Sequence, residues 1–167
     1  PAGMVPFLTT AEAFALKSGK RGEPAVWAGA DAAARRAMLA ALGARTDPSK
    51  LDLALLTNGR PQAIREVEWF ASANDAAAML DLLRRRSDPR IMAILAVNSA
   101  LPPALQREFV EVGFKGGSEA GVFSLNWLVR NRQGQWFAVS ASWNDPANSL
   151  DEERFRQLAF RLVGLGK

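Results

Sequence analysis

The rhythm of apolar and polar positions changes near residue 110. Before it, the apolar residues recur at helical spacing. Ala76, Met79, Leu80 and Leu83 fall at i, i+3, i+4 and i+7, which predicts one buried helix face. After it, the period drops to two. Residues 122–129 read VFSLNWLV and alternate around Ser124 and Asn126, and residues 136–143 place Ser140 and Ser142 on one face. With residues 110–118 these segments predict three consecutive antiparallel strands, the second and third joined by a turn at 131–134 with Gly134 in a left-handed position.

The helix boundaries carry their own signals. Thr9-Thr10-Ala11-Glu12 is a capping box, in which a threonine hydroxyl caps the helix and Glu12 reaches back; the helix should run to about Lys17. Residues 18–29, with scattered Gly and Pro, read as loop. Asp31 is a good N-cap and Gly43 a good stop for the segment AAARRAMLAAL. Asp47-Pro48 opens a further short helix ending near Asn58-Gly59. Residues 60–71 are ambiguous, with 67–70 open to an extended form. Residues 72–75 start the helix whose apolar face was given above, and Arg84, Arg85 and Arg86 close it, where cations suit the helix dipole. The apolar run 91–97 fits a buried helix or a buried strand. Leu101-Pro102-Pro103 breaks the chain before another helical stretch. Ser149-Leu150-Asp151-Glu152 reads as a second capping box, and Phe155, Leu158, Ala159 and Leu162 form the stripe of a final helix. The fold class is therefore α+β: helices, a three-strand antiparallel meander, and a C-terminal helix. Residues 1–109 form the helical segment and 110–167 the sheet with its helix.

Composition narrows the chemistry. A chain of 167 residues can bury roughly 70% of its unfolded surface without staples. It has no cysteine and no histidine, which excludes disulfides, thiolate catalysis, the usual zinc sites and a Ser-His-Asp triad. Metal ligation and a cofactor are not expected. Acid–base work falls to Lys, Asp, Glu or hydroxyls. The net charge of +4 is mild, and no aromatic residues interleave with the arginines, so nucleic acid is not an expected partner. No run of 18 apolar residues occurs, so no membrane span is expected. The sequence opens on Pro rather than Met, which reads as a processed or excised piece.

The segment with most chemical content is FKGGSE, residues 114–119. Glycines at a strand end let a ligand approach the backbone and leave N–H groups free for an oxyanion, while Lys115 supplies positive charge for an acidic substrate. A Gly-rich hairpin with a solvated lysine has the same composition. Five tryptophans (27, 69, 127, 136, 143) suit a core or half-buried sheet better than a sugar platform. Glu66, Glu68 and Asp75 suggest a carboxylate pair whose separation nothing in the sequence fixes.

Lys115-Gly116-Gly117-Ser118 resembles the Lys-Thr/Ser-Gly motif of class A β-lactamases and penicillin-binding proteins. The order around it is similar too. A strand, a short turn (NRQG), a strand (WFAVSASW) and a helix opening Asp-Glu-Glu-Arg follow it; PFLTTAEAFAL and SALPPAL precede it. The resemblance covers most of the chain, with extra residues around 47–90. It implies the C-terminal part of a β-lactamase/transpeptidase-like fold in a bacterial serine hydrolase acting on amide or β-lactam-type bonds. It also implies a periplasmic or extracellular location and a small-molecule or peptide substrate. In that setting Lys115 is the electrostatic anchor, Ser118 offers its backbone N–H to the oxyanion hole, and Gly116, Gly117 and Glu119 border the substrate. The family's Ser-x-x-Lys does not occur, since none of the five lysines has Ser three residues before it. The rest of the domain, N-terminal to this chain, is the expected partner that carries the nucleophile, and the chain alone should be inactive. The family's substrate-binding Arg on the next strand is replaced by FSLN. A non-catalytic protein binding cell-wall peptide or glycan on the same scaffold is the alternative.

Overall fold

A computed structural model describes residues 4–52, 54 and 58–167. The chain forms two compact units. The first comprises Pro1–Phe70 with Glu119–Gly121 and Pro146–Asn148; the second comprises Ala71–Ser118, Val122–Asp145 and Ser149–Lys167.

In the first unit, α1 (Thr10–Lys17) begins at the expected capping box: Thr9 Oγ1 accepts from the Glu12 N–H, and the Glu12 carboxylate accepts from the Thr9 N–H at 2.7 Å. α3 (Ala32–Leu42) starts at Asp31, whose side chain accepts from the N–H groups of Ala33 and Ala34, and stops at Gly43. The span expected to be loop holds a helix, α2 (Glu23–Gly29). Its start has the left-handed Gly22 as N-cap and Pro24 in the first turn, where the missing N–H costs nothing. Its C-terminus is held by the buried Arg35, whose guanidinium donates to the carbonyls of Trp27 and Ala28, each at 2.9 Å, and stacks over the Trp27 ring. Leu8, Leu16, Trp27, Leu42 and Val67 form the core.

The helix expected from Asp47 opens as a 3-10 turn, Pro48–Lys50; part of the stretch beyond it, at 53 and 55–57, lies outside the described residues. Residues 61–70 form no regular strand. A turn closed by Val67 N–H to the Ala63 carbonyl at 2.9 Å buries Val67 completely.

The second unit is a sheet with helices on both faces. Strands β1 (Phe109–Glu119), β2 (Val122–Asn131) and β3 (Trp136–Asn144) lie in the order β1-β2-β3, antiparallel, as the alternation predicts. The β2–β3 register pairs Ser124 with Ser142, Asn126 with Ser140 and Leu128 with Ala138. The turn between them is built by Asn131, whose Oδ1 accepts from the N–H groups of Gln133 and Gln135, and by Gly134 at φ 81°.

One sheet face carries Phe123, Leu125, Trp127 and Val129 of β2 and buries them against α7 (Glu152–Gly164) through Ala159, Val163, Phe155 and Phe160. Trp127 is fully buried, and its Nε1 donates to the Ser99 carbonyl at 2.9 Å. The N-cap of α7 is Asp151, which accepts from the Arg154 N–H, rather than the expected Ser149. An Asp there places a carboxylate at the positive end of the helix dipole, which a serine hydroxyl does not match.

The opposite face packs α4 (Ala73–Arg85) and α5 (Pro89–Leu95) through Leu80, Leu95, Met92 and Leu128. α4 begins at a capping box of Ser72 and Asp75. Its stripe is narrower than the spacing suggests: Leu80 is buried but Met79 is half exposed. The 91–97 run is helical as far as Leu95. Leu95 is its buried residue, while Ile94 and Val97 face solvent at 72% and 85% exposure. A short helix, α6 (Pro103–Gln106), leads into β1. Among the described residues, no helix is long and apolar enough to cross a membrane.

Candidate functional site

The sheet face that packs on α4 and α5 changes character along its length. Glu111 of β1 is ion-paired with Arg130 of β2, whose guanidinium lies over the Trp136 ring. A side chain at Gly113 would meet Leu95 of α5 at 3.0 Å. Beyond these apolar contacts, the alternation of β1 puts Lys115 and Gly117 on the same face. Their neighbours on β2 and β3 are Ser124, Asn126, Ser140 and Ser142. These four residues make the face polar beside Lys115 and Gly117.

Asn126 organises it. Its Nδ2 donates to the Lys115 main-chain carbonyl at 2.9 Å and to Ser124 Oγ at 3.1 Å, and its Oδ1 accepts from Ser140 Oγ. The amide thereby fixes β1 beside β2 at the level of Lys115. Lys115 itself is exposed, and its Nζ donates to the Gly116 carbonyl.

The two glycines after it serve different ends. A β-carbon at Gly116 would lie 2.6 Å from the Phe114 ring, so this glycine is required by packing. At Gly117 a β-carbon would meet nothing within 4 Å, so the backbone there is open to solvent and to a ligand. Ser118 is likewise exposed. The arrangement can bind an anion: an ammonium, hydroxyls and bare backbone lie on one strand end. Ser124 and Ser140 are hydrogen-bonded to an amide, which is no base, so neither is activated as a nucleophile.

Glu119, expected to border the substrate, is committed elsewhere. Within the first unit it meets Lys17 at the end of α1, with 2.7 Å between Lys17 Nζ and its Oε2. Glu68 binds the same ammonium. The side chain of Lys17 is 3% exposed, and those of Glu68 and Glu119 are 21% and 31% exposed. Two carboxylates share one buried cation. Burial, then the neighbouring Glu119 carboxylate, pushes the Glu68 carboxyl up to about 7 against the attraction of Lys17. Of the three carboxylates weighed from the sequence, Glu68 belongs to this cluster and Asp75 serves the α4 cap. No group of three or more Asp and Glu residues placed to hold a metal ion occurs among the described residues.

Trp27 and Trp127 are core residues, Trp136 and Trp143 are half-buried on β3, and Trp69 is 40% exposed with its Nε1 donating to the Leu8 carbonyl at 2.9 Å. No protein-family model and no curated protein matches this chain.

Proposed function

We propose that the chain is part of a serine hydrolase of the class A β-lactamase and penicillin-binding protein superfamily, acting by acyl transfer on amide or β-lactam-type bonds. Lys115 is its anion-binding residue. The observation that carries this is the position of Lys115. It is exposed near the end of an edge strand, followed by bare backbone at Gly117, on a sheet face whose remaining groups there are hydroxyls and an amide. The order of elements after it, two strands and a terminal helix, is the order the resemblance requires. An ammonium at a protein surface attracts a carboxylate at ~4 Å by about 4 kcal/mol before desolvation and screening, which leave only a fraction of it.

In this reading the Ser and Lys of the nucleophilic step are supplied by sequence outside these 167 residues, which contain no Ser-x-x-Lys. The 167-residue chain therefore binds without reacting. Incubated with a fluorophosphonate probe and weighed by mass spectrometry, it should carry no adduct. A stoichiometric adduct on any of its serines would contradict the assignment.

The binding half is tested by titrating the labelled chain with benzylpenicillin, a carboxylate-bearing β-lactam, and following backbone amide resonances. Shifts should concentrate at 115–118, and Lys115→Ala should weaken binding about tenfold without changing the melting temperature, because an exposed lysine contributes little to stability. Lys115→Arg should recover only part, since the guanidinium is longer and planar. Shifts absent from 115–118, or unchanged affinity in the Ala variant, would refute the site. Binding there, with a parent protein that has no Ser-x-x-Lys, would favour the non-catalytic binder.

A further inference from the structure

β1 is an edge strand of eleven residues, and among the described residues no strand pairs with its outer side. A long open edge presents unpaired N–H and C=O groups to any chain that can align with it. The residues along this edge are unusual in one respect: they are complementary to themselves. Laid antiparallel on a second copy about Gly113, the strand sets Glu111 opposite Lys115, Val112 opposite Phe114, Val110 opposite Gly116 and Phe109 opposite Gly117. Opposed residues in an antiparallel pair point to the same face. Each two-fold contact therefore joins opposite charges on one face and apolar side chains on the other.

We propose that β1 is a self-recognition edge, through which two copies of this chain pair as an antiparallel two-stranded junction centred on Gly113.

Three further features fit this occupant. Two-fold symmetry makes the contact closed, with the Glu111–Lys115 pair formed twice. Lys115 is exposed, and Glu111, which is ion-paired with Arg130 in its own chain, keeps 35% of its side-chain exposure, so both charges can reach across. A groove of about 710 Å³ runs beside the first part of the edge, lined by Met92, Ala96, Gln106, Arg107 and Val110 among others. The partner segment that lies along it brings Gly116 and Gly117, which carry no side chains to collide with the groove walls. Val110, exposed at 57%, loses water in the process. The proposal shares Lys115 with the acyl-transfer reading but does not rest on it, and its readout is molecular mass rather than ligand response.

The experiment is a pair of charge reversals followed by sedimentation equilibrium. Wild-type chain should show a monomer–dimer equilibrium. Glu111→Lys places Lys opposite Lys, and Lys115→Glu places Glu opposite Glu. Each variant alone should dissociate about tenfold more readily, since two attractive pairs become repulsive. Mixed in equal amounts, the two variants form both opposite-charge pairs again, so the mixture should recover a heterodimer near wild-type affinity. Circular dichroism confirms that each variant is folded, and the mixing step needs no comparison of their stabilities, because each variant serves in both arms. A wild-type chain that stays monomeric at about 100 μM, or variants that dimerise like wild type alone and gain nothing on mixing, would overturn the proposal.

Discussion

Lys17→Met should destabilise the chain by about 3 kcal/mol at pH 8. The substitution keeps most of the apolar stem and removes only the ammonium, leaving Glu68 and Glu119 facing each other without their shared cation. Breaking a buried ion pair by removing one partner costs about 3–5 kcal/mol, because the remaining charge is left desolvated. The carboxylates retain 21% and 31% of their side-chain exposure, which places the cost toward the lower end of that range. At pH 5 the same variant should lose far less, since the Glu68 carboxyl, raised to about 7, holds its proton there and does not repel Glu119. Lys17→Ala should lose more than Lys17→Met at both values, the difference reporting the packing of the lysine stem. Urea denaturation of the three proteins at the two pH values measures all of this. A Met variant as stable as wild type at pH 8 would show that the ion cluster does not hold α1, Glu68 and Glu119 together.

The parts of this architecture that could be read from the sequence are those decided locally. The three strands follow from alternation because each buries one face, and β2 shows this most clearly: Phe123, Leu125, Trp127 and Val129 point one way and are buried on the α7 side. The capping box at Thr9 and the helix start at 72–75 are legible because the residues that make each cap lie within three positions of each other. α2 was not legible. It is seven residues long and only Trp27 is buried, so no repeating stripe exists to mark it. The exposure of Ile94 and Val97 was hidden for a related reason: an apolar run shows burial potential, and only the packing of α5 selects Leu95 from it.

The two regions with chemistry differ in the same way. Lys115 and its glycines are contiguous, so the sequence displays them together. The different duties of Gly116 and Gly117 depend on the Phe114 ring, whose position is tertiary. The ion cluster joins residues separated by 51 and 102 positions. No spacing rule reaches so far, and the resemblance that sets Glu119 beside a substrate carries no information about Lys17.

Stability should fall as pH rises from about 4.5 to about 7, and Glu68→Gln should remove most of that slope. In the folded chain the Glu68 carboxyl is raised from 4.5 to about 7. Across that interval the native protein holds a proton that the unfolded chain has released, so raising the pH favours unfolding. The physical source is the charge count of the cluster. One buried ammonium neutralises one carboxylate; the second is ionised only at the cost of an uncompensated buried charge, and a retained proton avoids it. The interval from 4.5 to about 7 corresponds to roughly 3 kcal/mol. Glutamine reproduces the protonated form: it is neutral and still offers an oxygen to Lys17, leaving Glu119 as the ammonium's single counter-ion. Glu68→Gln should therefore match wild type at pH 4.5 and exceed it at pH 8 by about 2 kcal/mol. The measurement is the urea midpoint across pH 4 to 9 for both proteins. Other carboxylates of the chain, such as Glu23 held below its usual range by its hydrogen bonds to Arg45, contribute a slope of opposite sign at lower pH. They are common to both proteins and cancel in the difference. A Gln variant whose curve runs parallel to wild type from pH 4.5 to 8 would place the proton elsewhere and remove Glu68 from the cluster's titration.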